Sequence, residues 1–390
     1  MYRKTFVEIN LDNLKNNVKN IIKKYPDYKY YIGMVKSNAY NHGLYIVNTL
    51  IESGINYLAV SSLDEAIKIR EYNKEIGILI TEIIDEDLIN EAIKNNITLT
   101  IDDLDYLKKI KDPCTIHIKL NTGMNRIGVS SKEEFNELYE YINKNKNIEL
   151  EGIYTHFATP GINDIYYDKQ VNKFKEITGD IDLSKIKIVH CASSFIVLSH
   201  PKIEFANGIR FGTMMYGYDI SLKEYNNDLK SKIKKARDQY LINKNNISPV
   251  IRGVNIDLKP AFKIKTNVMK IRKIKKGEIL GYGINIIPED ALVAILPIGY
   301  ESGIGTNING RKVIINNKKY EAISGIEMCM MFVKVDESVK VGDSVTILGD
   351  DLTLGYMSRL NNSHIQGTLV NIGKELPKVY IKNEKIEKVI

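Results

Sequence analysis

Residues 31–43 read YIGMVKSNAYNHG. A short apolar run, which includes Ile32, Met34 and Val35, ends abruptly at Lys36, and the chain then becomes polar. This pattern is typical of a buried strand that delivers one amine to a site at its end. A lysine buried there can lose its proton and form a Schiff base with an aldehyde cofactor. Taken alone, this pattern is also compatible with an ordinary lysine at a strand end whose ammonium group lies in solvent.

Strand-like apolar runs alternate with helical patterns on both sides of this stretch. The runs fall at 31–36, 56–61, 77–81, 97–100, 115–120, 152–156, 186–190 and 207–211. Between them, Ser62 to Tyr72 and Ser131 to Lys144 have the apolar spacing of helices with one buried face. Eight strands that alternate with helices predict an α/β fold, a parallel (β/α)8 TIM-type barrel.

The alternating pattern stops after Gly217. Residues 222–256 are strongly charged and helix-prone, and we interpret them as an insertion or linker. Short alternating strands with Gly turns then predict a C-terminal all-β domain over 257–390. We therefore expect two domains, the first being a barrel over 1–235. Residues 1–10 are a candidate strand of the second domain.

Composition limits the class of protein. The 390 residues are 44% hydrophobic and 26% charged, as in soluble globular proteins. A charged N-terminus and the lack of a long apolar run predict a cytoplasmic protein without a membrane segment. The net charge of +7 is scattered along the chain, whereas a nucleic-acid surface would be clustered. Three distant cysteines without a C-x-x-C predict neither a disulfide framework nor a metal site.

Polar side chains recur at the predicted strand ends, where the active site of a (β/α)8 barrel lies. Besides Lys36, they are Lys119, His156, His190 with Ser194, and Arg210 with Gly212 and Thr213. Each has an ordinary interpretation, since a lone histidine is often structural and an arginine is often an ion-pair residue. Their coincidence at five strand ends favours a single functional site.

Several stretches resemble motifs of the alanine racemase family, fold type III enzymes that use pyridoxal 5′-phosphate (PLP). Residues 35–43 read VKSNAYNHG and resemble the family motif VKANAYGHG, from which Ser37 and Asn41 depart. Further matches are IKLNTGMNRIG at 118–128, EGIYTHFA at 151–158 and HCASS at 190–194. The resemblance covers nearly the whole chain. It implies a PLP-dependent amino-acid racemase in which Lys36 forms the Schiff base.

The resemblance also implies a role for the other residues of the site. The phosphate-binding residues would be Tyr40, Ser194, Gly212 and Thr213, with Gln366 aligned by position only, and His190 also belongs to the cofactor site. Arg210 would face the pyridine nitrogen. A guanidinium cannot accept a proton, so the cofactor would be a weaker electron sink, which disfavours transamination. Arg126 would face the phenolic oxygen, steadied by Lys119, which is carbamylated in many family members.

Racemisation requires acid/base groups on both faces of the substrate carbon. Lys36 would serve one face. Gly281-Tyr282-Gly283 resembles the family's GYG segment, which makes Tyr282 the second base, activated by Arg210 and His156. Because the chain has 24 tyrosines, a three-residue GYG match is weak evidence by itself, but PIGY at 297–300 also matches the family. The implied substrate contacts are Arg126, Tyr300 and Cys329. In the family the tyrosine comes from a second subunit, which implies a homodimer with shared sites.

The substrate entrance departs from the family at three places. In GIEMCM at 325–330, Ile326 occupies the position of the usual Arg and Met330 that of the usual Asp. The basic pair expected after PIGY is missing, since 301–306 read ESGIGT, and Gln366 aligns by position with the expected Tyr. These changes leave open a relaxed specificity or another substrate, such as lysine, ornithine or serine. Alanine is the leading substrate because it is the commonest in the family, and D-alanine would supply peptidoglycan. Arg210 disfavours a decarboxylase, and the GYG and PIGY segments disfavour a non-catalytic PLP-binding protein.

Overall fold

The computed structural model describes residues 3–158, 164–218 and 256–390, with scattered helical positions between 229 and 244. Residues 222–255 of the predicted insertion at 222–256 therefore lie outside the continuously described residues. The chain divides into two compact units. The β unit comprises Met1–Leu14, Tyr40–Gly43 and Lys259–Ile390, and the barrel unit comprises Lys15–Ala39 and Leu44–Leu258.

Eight parallel strands form the barrel unit. Their bounds are β2 Tyr30–Met34, β3 Tyr57–Val60, β4 Ile78–Ile80, β5 Leu99–Ile101, β6 Cys114–Leu120, β7 Ile148–Thr155, β8 Ile188–Ser193 and β9 Gly208–Phe211. Their order is β4-β3-β2-β9-β8-β7-β6-β5, and a parallel bridge between Leu79 and Thr98 joins the two ends. Thr98 N donates to Ile78 O at 2.8 Å. The predicted (β/α)8 barrel is confirmed.

Helices cover the barrel strands. Those before residue 200 are Leu11–Lys24, Val47–Glu52, Leu63–Tyr72, Ile89–Lys94, Leu104–Lys109, Lys132–Lys144, Asp164–Ile177 and Ser194–Ser199. All residues of β3 and β4 are buried, as expected for parallel strands covered on both faces. Side chains cap the starts of several helices; for example, Asp103 accepts from Tyr106 N and Ser131 accepts from Glu134 N.

The β unit is built on a ten-stranded sheet that includes the N-terminal strand. The strands are β1 Phe6–Asn10, β10 Phe262–Asn267, β11 Lys270–Ile274, β12 Ala291–Leu296, β13 Lys312–Ile315, β14 Lys318–Ile323, β15 Met331–Val335, β16 Ser344–Leu348, β17 Lys378–Lys382 and β18 Lys385–Val389. β1 pairs antiparallel with β10 and parallel with β17. Two short helices, Leu354–Leu360 and Ile365–Asn371, precede β17. β10 and β11 follow each other closely but have different partners, because β10 pairs with β1 and β16 whereas β11 pairs with β12.

Two irregularities in strand pairing lie within the barrel. Ile116 pairs with Leu150 but His117 pairs with Gly152, so Glu151 is an extra residue in β7. Between β8 and β9, Cys191 is extra in the same way. Such bulges re-aim side chains and are common beside active sites. The β8 bulge lies next to His190, which the sequence placed in the site, whereas the β7 bulge lies beside His117, which it did not.

Candidate active site

Lys36 begins a left-handed turn, two residues after the last residue of β2. Ser37 to Asn41 have φ of 53°, 53°, 54°, 50° and 67°. Residues other than Gly and Asn rarely adopt this left-handed backbone region. Such a run persists only where surrounding contacts hold it. Ala39 N donates to Val35 O at 2.8 Å, and Glu65 accepts from Ser37 N. The turn thereby fixes where the partly buried Lys36 leaves the strand.

Tyr40–Gly43, which begins inside this turn, belongs to the β unit. Asn41 Nδ2 donates to Leu369 O at 3.1 Å and to Ile372 O at 2.8 Å. Tyr380 OH donates to His42 O at 3.0 Å. The predicted phosphate ligand Tyr40 begins this segment, and burial raises the pKa of its hydroxyl to about 12. Tyr40 therefore stays neutral and keeps a proton to donate.

Arg210 is a buried cation on β9, only 5% exposed. Its Nη1 donates to His190 Nδ1 and to His190 O, both at 2.8 Å. Its Nη2 donates to Thr155 O at 2.8 Å, His156 Nδ1 at 3.1 Å and Cys191 O at 3.2 Å. None of these acceptors is a carboxylate. In the described part of the chain nothing accepts from its Nε, so the guanidinium keeps a donor for a neutral acceptor such as a pyridine nitrogen.

Positive charge converges around His156, which follows the last residue of β7. Burial, followed by the charges of Arg210, Arg126, Lys119 and Lys36 in that order, lowers the pKa of His156 to about 3. His156 is therefore neutral. Burial, followed by Arg126 and Arg210, also lowers the pKa of Lys119 to about 8. The structure thus brings together the predicted Lys36, Lys119, Arg126 and Arg210 in a region suited to an anionic cofactor.

Small residues after β8 and β9 form a cradle of donors. Gly212 N donates to Ser194 Oγ at 3.0 Å. Ser194 and Thr213 are 5% and 4% exposed. Hydroxyl and backbone N–H groups of this kind suit a phosphate. The three predicted phosphate ligands of the barrel unit therefore lie together.

Tyr282 lies at an exposed loop of the β unit, with 81% of its surface accessible. Gly281 and Gly283 have φ of 74° and 81°, which glycine adopts without strain. Asn285 Nδ2 donates to Tyr282 O at 2.7 Å. An isolated antiparallel bridge between Ile279 and Ile286 closes the loop. The loop presents the tyrosine to solvent in the single chain.

The other predicted entrance residues also belong to the β unit. Tyr300 is 45% exposed, and Cys329 Sγ lies 3.3 Å from Glu301 Oε2. Ile326 is buried, Met330 is 39% exposed, and Gln366 lies in the helix Ile365–Asn371. Their roles toward the substrate and the phosphate stay predictions.

Sequence reasoning missed Tyr154, whose ring contacts three residues of the predicted site. The ring stacks on His190 with centroids 4.6 Å apart and an interplanar angle of 7°. Lys119 Nζ and Arg210 Cζ lie 5.5 Å and 5.6 Å from its centroid, so the ring makes cation–π contacts with both. Tyr154 precedes His156 by two residues, and strand alternation could have placed both on one face. His117 and Glu151 were missed as well.

Neither a metal site nor a membrane helix is found among the described residues. No group of three or more His, Cys, Asp or Glu side chains could hold a metal ion there. No helix in that part of the chain has the length and apolar character needed to cross a membrane.

Comparison with known proteins gives full-length matches. The sequence profile "Alanine racemase, N-terminal domain" matches residues 9–220, and "Alanine racemase, C-terminal domain" matches 261–380. The chain is 32% identical to an alanine racemase of Halalkalibacterium halodurans, over 99% of this chain and 97% of that protein. A solved alanine racemase of Clostridium difficile 630 has a TM-score of 0.86 at 27% identity, covering 100% and 99% of the two chains. One from Bacillus anthracis with bound L-Ala-P has a TM-score of 0.83 at 26% identity, covering 100% and 98%.

Proposed function

The chain belongs to the alanine racemase family, and we propose that Lys36 and Tyr282 are the acid/base groups with which it interconverts L- and D-alanine. Its cofactor is PLP. The assignment of these residues rests on one observation. The charges of Lys36, Lys119, Arg126 and Arg210 all act on a neutral His156 at one end of the barrel. D-alanine would supply peptidoglycan.

The barrel residues fit this cofactor. Lys36 would hold its aldehyde carbon, and the cradle of Ser194, Gly212 and Thr213 would hold its phosphate. Arg210 would donate to its ring nitrogen. When bound, PLP supplies an aldehyde that bonds to the substrate amine and a ring that draws electrons from the substrate Cα. We propose that Tyr40 and Gln366 complete the phosphate site.

Arg210 cannot accept a proton, so it limits how strongly the ring withdraws electrons. This restraint favours return of the proton to the substrate Cα over return to the cofactor. The two bases then determine the stereochemistry. A proton leaves Cα to one base and another arrives from the second base on the opposite face, which inverts the configuration.

We propose further that the active form is a homodimer in which Tyr282 enters the site of the partner. An apolar surface surrounds Tyr282 in the single chain: Ile279, Ile284, Ile286 and Met328 are all more than half exposed. Contiguous exposed apolar side chains mark interaction surfaces. A second copy of the chain would cover them.

Subunit complementation tests the shared site. Lys36→Ala and Tyr282→Phe chains, each with its own affinity tag, are coexpressed and the mixed dimers are purified. Each mixed dimer then holds one site with both bases intact. The unseparated mixture should show about a quarter of wild-type activity per subunit, because about half of the dimers are mixed and each has one intact site.

Each variant alone should be nearly inactive. Purified mixed dimers without activity would place Lys36 and Tyr282 of one chain in the same site. Racemisation by Lys36→Ala alone would overturn the assignment of the bases. The visible absorbance of the bound cofactor should be lost in Lys36→Ala and retained in Tyr282→Phe.

A further inference from the structure

A line of hydrogen bonds leads from Arg210 into the interior of the barrel. Arg210 Nη1 lies 2.8 Å from His190 Nδ1. His190 Nε2 lies 3.0 Å from His117 Nδ1, and His117 Nε2 lies 3.2 Å from Glu151 Oε2. His117 and His190 are fully buried, and Glu151 is 7% exposed. We call these four residues the relay.

The two ends of the relay fix the direction of each bond. Arg210 can only donate, and an ionised Glu151 can only accept. His190 must therefore present a bare Nδ1 to Arg210, and His117 must present an Nε2–H to Glu151. Between the rings, His190 Nε2–H then donates to His117 Nδ1. Both histidines are neutral in this arrangement, since a second proton on either ring would set two donors against each other.

The ionisation states agree with this direction. Burial lowers the pKa of both His117 and His190, and for His190 the Arg210 charge lowers it further. Burial alone would raise the pKa of Glu151, but hydrogen bonds from His117, Lys187 and Tyr57 outweigh it and lower it to about 2. Glu151 is therefore an anion at neutral pH.

Local sequence builds the relay. The β7 bulge makes Glu151 the extra residue opposite β6. Gly152 makes room for the imidazole, because a Cβ there would lie 2.6 Å from His117 Cε1. Glu151 is held by two further donors, Tyr57 OH at 2.5 Å and Lys187 Nζ at 2.7 Å. The acceptor is thus fixed from three sides.

We propose that Glu151 and His117 are positioning residues for the racemase reaction. They hold His190 as the tautomer whose bare Nδ1 accepts from Arg210, and so fix the guanidinium that faces the cofactor ring. This proposal rests on the role of Arg210 in the proposed function. Neither residue needs to contact the substrate.

Four variants distinguish a positioning role of Glu151 and His117 from a role in the stability of the fold. Glu151→Leu removes the acceptor, and His117→Phe keeps an aromatic ring but removes both nitrogens. Glu151→Gln is the conservative rescue, because its amide oxygen can still accept from His117, while the half-exposed Lys187 ammonium, a donor like the new NH2, can turn to solvent. Lys187→Gln is the matched control, because it breaks the ion pair at the partly exposed end and leaves the relay intact.

Nitrogen-15 spectra of the histidine rings in the cofactor-free protein give a readout independent of activity. With six histidines in the chain, the two ring nitrogens of His190 can be assigned with a His190→Gln reference. Wild type, Glu151→Gln and Lys187→Gln should carry the His190 proton on Nε2. In Glu151→Leu and His117→Phe, His190 should carry its proton on Nδ1 in a substantial fraction, and in that fraction the hydrogen bond from Arg210 Nη1 is lost.

In the PLP-loaded enzyme, kcat for alanine should fall roughly ten- to hundred-fold in Glu151→Leu and His117→Phe, by analogy with the loss of partners that orient metal-bound histidines. The KM should change little, and Glu151→Gln should recover most of kcat. Wild-type kcat in His117→Phe, or an unchanged His190 tautomer in both disrupted variants, would overturn the proposal. An inactive wild type would contradict the proposed function instead, and the nitrogen-15 spectra of the histidine rings would still test the relay.

Discussion

Acid should destabilise the barrel unit through Glu151, and replacing this residue by Gln should remove that part of the pH dependence. The carboxylate is nearly fully buried and accepts from His117, Tyr57 and Lys187. These bonds lower its pKa in the folded protein from 4.5 to about 2. The folded state therefore favours the ionised form, and its contribution to stability is complete above the unfolded pKa.

The size follows from the difference of about 2.5 between the two pKa values of Glu151. At 1.36 kcal/mol for each pKa unit, ionised Glu151 contributes about 3 kcal/mol to the free energy of unfolding at neutral pH. This contribution declines as the pH falls through 4.5, the pKa of Glu151 in the unfolded chain, toward about 2, its pKa in the folded protein. About 2 kcal/mol of it should be lost between about pH 6 and about pH 3.

The assay is urea unfolding of wild type and Glu151→Gln at several pH values, followed by circular dichroism because the chain has no tryptophan. The difference in unfolding free energy between the two proteins should shrink by about 2 kcal/mol across this range. Glu140→Gln is the matched control, since this exposed carboxylate pairs with Lys144 one helical turn away. Its difference from wild type should stay nearly constant. A pH-independent difference for Glu151→Gln would refute the reasoning.

Two further predictions concern the left-handed turn and Lys119. Asn41 has φ of 67°, so Asn41→Ala should be less stable than Asn41→Gly by about 1 kcal/mol in chemical unfolding, because only glycine adopts this conformation without cost; equal stabilities would contradict the strained turn. Lys119, with its pKa near 8, holds roughly 300 times more neutral amine near neutral pH than an ordinary lysine, so labelled bicarbonate should give a carbamate NMR signal on this residue. The signal should vanish in Lys119→Arg and persist in Lys68→Arg, and its presence in both variants would place the carbamate elsewhere.

The sequence predicted the elements whose hydrophobic pattern is regular. The barrel strands have short, almost wholly apolar runs, and the helices between them have a clear apolar face, so the (β/α)8 barrel was predictable. Lys36, Lys119, His156 and Arg210 lie at or near strand ends, where the barrel rule places function. His190 differs, since it lies inside β8 rather than at its end. Its neighbour Cys191 is bulged, which no alternation pattern predicts.

Other features of the site depend on tertiary context. Five consecutive residues from Ser37 to Asn41 adopt left-handed backbone conformations against their own preference, so local propensity gives no signal for the turn. Glu151 enters the barrel interior only because the β7 bulge breaks the period of two. His117 could have been found, because it precedes Lys119 by two residues on the same strand face. In the proposed homodimer, the surroundings of the exposed Tyr282 would come from a second chain, so the pattern of a single chain gives no signal for them.

The most direct test of the two-base racemase account is α-proton exchange in D2O, measured separately from L- and D-alanine with wild type and Tyr282→Phe in the presence of PLP. Wild type should incorporate deuterium and invert both enantiomers, and should prefer alanine over serine, lysine and ornithine. Tyr282→Phe should keep PLP and the exchange of one enantiomer through Lys36 while inversion falls by orders of magnitude. Inversion by Tyr282→Phe at the wild-type rate, or no exchange of alanine by wild type, would contradict the account.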